Sequence, residues 1–253
     1  MKITFLGTGT SQGVPVIGCS CEVCNSLDYR DKRLRSSLHI ETEGKSIVID
    51  TGPDFRSQML RESISRLDAV VYTHEHKDHT AGLDDIRPFN FKHQIDIPIY
   101  GTPQVIQQLM AEFSYIFVEK KYPGIPRVVI NEIENRPFEV KGVPFTPIRV
   151  MHHKLPVFGY RIHDFTYITD ANQIPQEELK KMEGTKVLVL NALQTKPHIS
   201  HFTLQEALDL VDFLKPQQAY FTHVSHRLGL HRKVEENLPG NVALAYDGLK
   251  ISL

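Results

Sequence analysis

The chain has no apolar run approaching the roughly 20 residues that a membrane-spanning helix needs, so a helical membrane protein is excluded by pattern. Its opening, MKITFLGTGTSQG, has too short an apolar stretch for a secretory signal and no basic flank with a cleavage site. The expectation is a soluble, cytoplasmic protein with no membrane partner. Neither sign of charge is in excess: the formal net charge of -1 supplies no global attraction to nucleic acid or to anionic lipid. No internal repeat, low-complexity tract or Ser/Gly-rich linker divides the sequence, and one domain over residues 1–253 is expected. Cysteine is nearly absent. The three that occur, Cys19, Cys21 and Cys24, all lie in GCSCEVCNS. An odd, clustered count argues against a disulfide framework and for metal ligation. Structural zinc is almost always four-coordinate, so a distant histidine is expected to complete the set.

What is present is an ordinary globular balance, 41% hydrophobic and 23% charged. Short β-branched runs broken by Gly, Pro, Asn and Asp read as strands at 3–6, 38–41, 46–49, 68–72, 97–100, 145–150, 159–162, 166–168, 186–190 and 218–221. The tail VALAYDGLKISL suggests a closing pair of strands around Asp247-Gly248. Helical spacing covers 103–113, with Val105, Ile106, Leu109 and Met110 on one face. A second helix opens at Thr203, where T-L-Q-E matches a capping box, and stops before Pro216. Shorter helices are expected at 55–62 and 175–182. Strands alternating with helices imply an α/β architecture.

The segment THEHKDHTAG concentrates His74, His76, Asp78 and His79 just after the apolar run Ala69–Tyr72. At an extended strand end, side chains at i and i+2 point to one side, so His74 and His76 can share one cation. Asp78 and His79 can turn toward a second. Imidazole suits zinc and related transition metals, and carboxylate adds a harder oxygen donor. Further polar residues end apolar strands: Asp50 after SIVI, His152 and His153 after TPIRVM, Asp170 after FTYIT, and His223 after QAYFT. Asp50 suits either the support of a ligand imidazole or a turn before Thr51-Gly52. Gly7-Thr8-Gly9-Thr10 lacks the Gly-Lys-Ser/Thr ending of a P-loop and reads as a tight turn beside the site.

In order, THEHKDHTAG, MHHKLPVFGYRI, YITDA and YFTHVSH resemble the successive metal motifs of the metallo-β-lactamase superfamily. The resemblance implies an αβ/βα four-layer sandwich with two mixed β-sheets and the metals at one sheet edge. It would place His74, His76 and His152 on one metal, Asp78, His79 and His223 on the other, and Asp170 between them. Two divalent cations, zinc or manganese, would supply a metal-bound hydroxide. His153 stands where the family pattern often has glycine, so His152 and His153 compete for one ligand position.

GTGTSQGVP, the cysteine cluster and THVSH together are similar to the PhnP-type phosphodiesterases, which act on cyclic phosphodiesters. In that group a structural zinc uses three cysteines and a histidine three residues after the last active-site ligand; here that is His226. The cluster would form an excursion near residues 18–26. The resemblance also points to His201 as general acid, with His198 as rival, and lets Asp78 orient the attacking hydroxide. It implies hydrolysis of a small phosphate ester, cyclic ones included, by a protein that forms a homodimer. The alternatives are a tRNA 3′-processing nuclease, whose basic arm has no counterpart in the sequence, and a non-hydrolytic metal protein related to pyrroloquinoline quinone biosynthesis.

Overall fold

The computed structural model describes residues 1–118 and 123–253. Two seven-stranded mixed sheets face each other. The first contains β1 (Lys2–Gly7), β2 (Ser37–Thr42), β3 (Lys45–Ile49), β4 (Ala69–Val71), β5 (Ile97–Gly101), β6 (Val128–Glu132) and β14 (Lys250–Ser252). Its order is β14-β1-β2-β3-β4-β5-β6. The second contains β7 (Phe138–Val140), β8 (Val143–His152), β9 (Leu155–Ile162), β10 (Phe165–Tyr167), β11 (Val187–Asn191), β12 (Gln218–Thr222) and β13 (Val242–Leu244). Its order is β13-β12-β11-β10-β9-β8-β7.

Strand alternation decides the layers. Ile3, Phe5, Leu38, Ile40, Ile47 and Ile49 face inward and meet Phe145, Tyr160, Phe165 and Val189 of the second sheet. The opposite faces are covered by helices. Behind the first sheet, Leu6, Val48 and Val70 pack on α1 (Phe55–Arg61), α3 (Arg87–His93) and α4 (Pro103–Glu112). Behind the second, Ile148, Leu188 and Phe221 pack on α5 (Gln176–Met182) and α6 (Leu204–Leu214). This is the αβ/βα sandwich. The α6 cap is the expected capping box: the Glu206 amide donates to the Thr203 hydroxyl and Glu206 accepts from the Thr203 amide.

Three expectations need correction. The tail strands do not pair with each other: β13 pairs in parallel with β12 and β14 antiparallel with β1, so the chain crosses between sheets at Asp247. The histidine motif is not a strand end, because β4 stops at Val71 and the motif continues through a turn into the short α2 (Lys77–Thr80). β6 and β7 also escaped the pattern reading, because β6 is largely exposed and β7 has only three residues.

Candidate metal centre

Of the strand-end polar residues singled out above, Asp50, His152, Asp170 and His223 meet at one edge of the sandwich, and His153 does not. Asp50, Asp170 and His223 each leave their strand in the left-handed region, with φ of 64, 53 and 53°. Asp and His tolerate this conformation better than most residues. Three such turns at one edge are local strain of the kind retained at functional sites. Two glycines let the loops close together. A Cβ on Gly52 would sit 2.2 Å from the Asp78 carbonyl oxygen, and one on Gly82 would sit 2.2 Å from the Gly52 carbonyl oxygen.

The hydrogen bonds decide which nitrogen of each imidazole is free. His79 Nδ1 lies 2.7 Å from Asp50 Oδ2, and an ionised carboxylate only accepts, so Nδ1 carries the proton. Thr73 donates its hydroxyl to Asp50 Oδ2 (2.8 Å), so it accepts from His74 Nδ1 at 2.9 Å. His152 Nδ1 donates to the Ser200 carbonyl at 2.9 Å. Ser36 donates to the Gly9 carbonyl and therefore accepts from His223 Nδ1, 3.3 Å away. In all four imidazoles the outer nitrogen holds the proton and Nε2 presents a lone pair to the centre. His76 turns Nδ1 toward His74 Nε2, 3.1 Å apart.

Two of these lone pairs, on His79 and His223, meet negative oxygens. His79 Nε2 lies 2.9 Å from Asp170 Oδ2 and 3.2 Å from Asp78 Oδ2, and His223 Nε2 lies 3.0 Å from Asp170 Oδ1. His79 Nε2 is buried without a hydrogen-bond partner. Lone pairs facing carboxylates repel unless a cation lies between them. The titration of the bare site reports the same demand. Burial opposes charging of His79, yet Asp170, Asp50 and Asp78 push its pKa well above the ordinary value. Burial likewise opposes ionisation of Asp170, but His223 and His79 hold its carboxyl well below the usual range. Burial, with His79 next, holds His74 well below. The donor set fits cations: His74, His79 and Asp170 converge within 4.8 Å, as do His152, Asp170 and His201.

The rings form one continuous cluster, in which His74 lies 4.2 Å from His79, His152 4.7 Å from His201 and His201 4.8 Å from His223 by ring centroid. His74, His76 and His152 lie 4.6, 5.8 and 5.1 Å apart by ring centroid. His79 and His223 stack 6.1 Å apart across Asp170. Of the competing pair, His152 stands in the cluster. His153 occupies the exposed β8–β9 turn at φ 56°, its amide donating to Asn172 Oδ1. His201 Nε2 donates to Asp170 Oδ1 at 2.8 Å and its Nδ1 lies 3.2 Å from His198 Nδ1. His198 is the more exposed of the two and makes no direct contact with the carboxylates. The supporting groups that sequence reasoning missed are Thr73, Ser36 and the Ser200 carbonyl. Thr73 adjoins the histidine motif and was open to discovery there, whereas nothing local marks Ser36.

A second cluster lies beside the first. Cys19, Cys21 and Cys24 Sγ stand 3.3, 3.4 and 3.5 Å from His226 Nδ1. Zinc bonds of about 2.3 Å to sulfur and about 2.0 Å to nitrogen, at the tetrahedral angle, space S and N about 3.5 Å apart. The fit is direct. The Cys24 amide and His226 draw the Cys21 thiol down to about 6, while burial pushes Cys24 up to about 11. His226 follows His223 on the loop after β12, so the cysteine excursion is tied to the loop carrying a metal-centre imidazole.

Comparison with known proteins shows the family. Residues 45–224 match the family model described as a Beta-lactamase superfamily domain. The chain belongs to the metallo-β-lactamase superfamily of hydrolases. A crystal structure of a diphosphatase from the PhnP family is 40% identical, with a TM-score of 0.93 over 100% of this chain and 97% of that one. An octanoyltransferase of Porphyromonas gingivalis is 39% identical over 99% of this chain and 51% of its own length. A ribonuclease Z of Rippkaea orientalis is 30% identical over 64% of this chain and 47% of its own. The chain thus spans about half the length of these curated relatives. No helix among the described residues is long and apolar enough to cross a membrane.

Proposed function

We propose that this member of the superfamily is a dinuclear metal-dependent phosphodiesterase acting on a small phosphate ester. The observation that carries the proposal is the convergence of outward-protonated imidazoles on one centre, with the lone pairs of His79 and His223 aimed at Asp78 and Asp170. His74, His76 and His152 would hold one divalent cation, Asp78, His79 and His223 the other, and Asp170 both. Zinc or manganese suits this mixture of imidazole and carboxylate. Cys19, Cys21, Cys24 and His226 would hold a structural zinc. When bound, the pair of cations would lower the pKa of a water molecule and neutralise charge developing on phosphoryl oxygens.

The chain's own residues do the rest. Asp50 and Thr73 fix the His79 and His74 tautomers, so neither ring must turn during the reaction. Asp170 spans both groups of imidazoles. His201 places Nε2–H at the centre and is positioned to protonate the leaving oxygen as general acid. Its other ring face is part of the wall toward His198 and solvent. The similarity to a PhnP-family diphosphatase over the whole chain supports phosphate chemistry.

The test is hydrolysis of bis(p-nitrophenyl) phosphate by protein reconstituted with zinc or manganese, beside Asp78→Asn and His201→Ala. The wild-type protein turns over and Asp78→Asn loses both one metal equivalent and most activity. His201→Ala keeps its metals and slows in proportion to leaving-group basicity. Equal rates in the wild type and Asp78→Asn refute the mechanism. An octanoyl thioester and a precursor tRNA, run in parallel, test the activities named for the other relatives. Turnover of either in preference to phosphodiesters replaces the proposed substrate class.

A further inference from the structure

All three cysteines of the chain stand in the second cluster, so a thiol-selective oxidant has no other target. The main centre offers only imidazoles and carboxylates. Within the cluster, Cys21 and Cys24 are matched as a pair. They lie three residues apart on one turn, closed by the Asn25 amide donating to the Cys21 carbonyl at 3.0 Å. Residues so spaced have Cα atoms about 5 Å apart, inside the range that a disulfide spans. Their Sγ atoms lie within 4.8 Å of each other. Each sulfur also accepts from a backbone amide at 3.4 Å, Cys21 from Cys24 and Cys24 from Val16. Such bonds favour the thiolate, the form that both binds zinc and attacks a peroxide. Cys21 is partly exposed and Cys24 is buried, so the oxidant meets Cys21 first. Cys19 is partly exposed as well, but its sulfur receives no amide among the described residues.

The excursion has little else to hold it. Its buried apolar set is Val14, Val23 and Cys24, against which Val16 and Leu230 pack. Leu230 and His226 both belong to the segment after β12 that carries His223. That segment keeps two backbone anchors of its own: the Val224 amide donates to the Thr8 carbonyl at 2.9 Å and the Ser225 amide to the Leu193 carbonyl at 3.0 Å. Loss of the cluster therefore loosens the His223 loop without freeing it.

We propose that Cys21 and Cys24 form a site of reversible oxidation, at which hydrogen peroxide releases the structural zinc and weakens the neighbouring metal centre. The Cys21 thiolate attacks one peroxide oxygen; the S–O bond forms, the O–O bond breaks and hydroxide leaves. The Cys24 thiolate then attacks the Cys21 sulfenic sulfur, forming the S–S bond and expelling a second hydroxide. Each sulfur has given up one electron, and one peroxide has become two hydroxides, which take protons from water. Cys19 and His226 remain, two ligands where structural zinc needs four. The switch needs the structural zinc of the proposed function and is independent of phosphodiesterase activity.

The test treats the full chain, with manganese in the main centre and zinc in the cluster, with one equivalent of hydrogen peroxide. One zinc is released, read with 4-(2-pyridylazo)resorcinol, and peptide mass spectrometry finds Cys21 joined to Cys24. Stripping metal from the main centre then takes about tenfold less chelator, the lower end of the loss when a metal ligand's support is removed. Tris(2-carboxyethyl)phosphine with added zinc reverses both changes. Cys21→His keeps four zinc ligands but removes the pair, and its zinc release slows by about tenfold or more, because attack requires an accessible thiolate. Cys19→His keeps the pair and responds as the wild type does. A disulfide that leaves out Cys21, or release from Cys21→His at the wild-type rate, overturns the assignment. A main centre unchanged after complete zinc release overturns the coupling. Reduced protein without cluster zinc refutes the structural site itself, whereas zinc that stays bound through excess peroxide refutes the switch alone.

Discussion

Replacing Asp50 by Asn should weaken metal affinity while leaving the fold in place. Asp50 is fully buried and accepts three hydrogen bonds, from the Thr73 amide (2.8 Å), the Thr73 hydroxyl (2.8 Å) and His79 Nδ1 (2.7 Å). Asparagine matches its volume and tolerates the left-handed backbone at φ 64°. Its carbonyl oxygen can keep the bond from the Thr73 amide. Its NH2 then occupies the position of Oδ2, where both remaining neighbours are donors. His79 can satisfy that NH2 only by accepting at Nδ1, which moves its proton to Nε2. The lone pair that faces Asp78 and Asp170 is then lost. Replacing a carboxylate that orients a ligand imidazole typically costs 10- to 100-fold in metal affinity. At 1.4 kcal/mol per decade this is about 1.4 to 2.8 kcal/mol. The folding cost is of the same order, about 1 to 3 kcal/mol for the mismatched donor. The assay is metal content after dialysis against graded chelator, with thermal unfolding measured on the same samples. Asp50→Asn should fold cooperatively and release one active-site equivalent at 10- to 100-fold weaker chelator. Full retention of both equivalents, with unchanged activity, would refute the tautomer argument.

Cys21→Ala should lower zinc by one equivalent and depress the melting temperature by several degrees, because the cluster ties residues 19–24 to the His226 loop. Unchanged zinc per chain, measured by mass spectrometry, refutes the structural site. His152→Ala should lose active-site metal and His153→Ala should not, since His153 lies in an exposed turn; the reverse result would overturn the assignment. His39 is buried, and burial lowers its pKa from 6.5 to about 4. The unfolded state then binds the extra proton first, so stability falls as pH drops from about 6.5 to about 4. With 1.36 kcal/mol per pKa unit, the loss is about 3 kcal/mol. In urea titrations, the stability gap between the wild type and His39→Gln should narrow by about 2 to 3 kcal/mol between pH 7 and pH 4.5. A gap independent of pH would contradict it.

Much of the fold was readable because both sheets bury a face, and alternation or short β-branched runs marked most strands. The helix capped by Thr203 and Glu206 was readable because its signal is local. β6 was not, since its residues are largely exposed and leave no period-2 pattern of burial. The tail misled for another reason. Two β-rich runs around Asp247-Gly248 look like a hairpin, but hydrogen-bond partners on opposite sheets separate them. The short helix within the histidine motif was missed because four residues carry too few positions for a helical period, and the seven-residue α3 after it was missed as well.

For the site, residue types and spacing marked His74, His76, Asp78 and His79 as candidate metal ligands and three clustered cysteines as lacking a fourth, while the resemblance to a known family added Asp170 and His223. Donor chemistry is written in the side chains themselves. Only the tertiary structure decided which atom of each ring is free, because the Nδ1 partners come from Asp50, Thr73, Ser36 and Ser200, residues up to 187 positions away. It also separated His152 from His153, adjacent in the chain but on opposite sides of a turn. Apart from the adjacent Thr73–His74 pair, proton placement here belongs to pairs of distant groups, which no local pattern encodes.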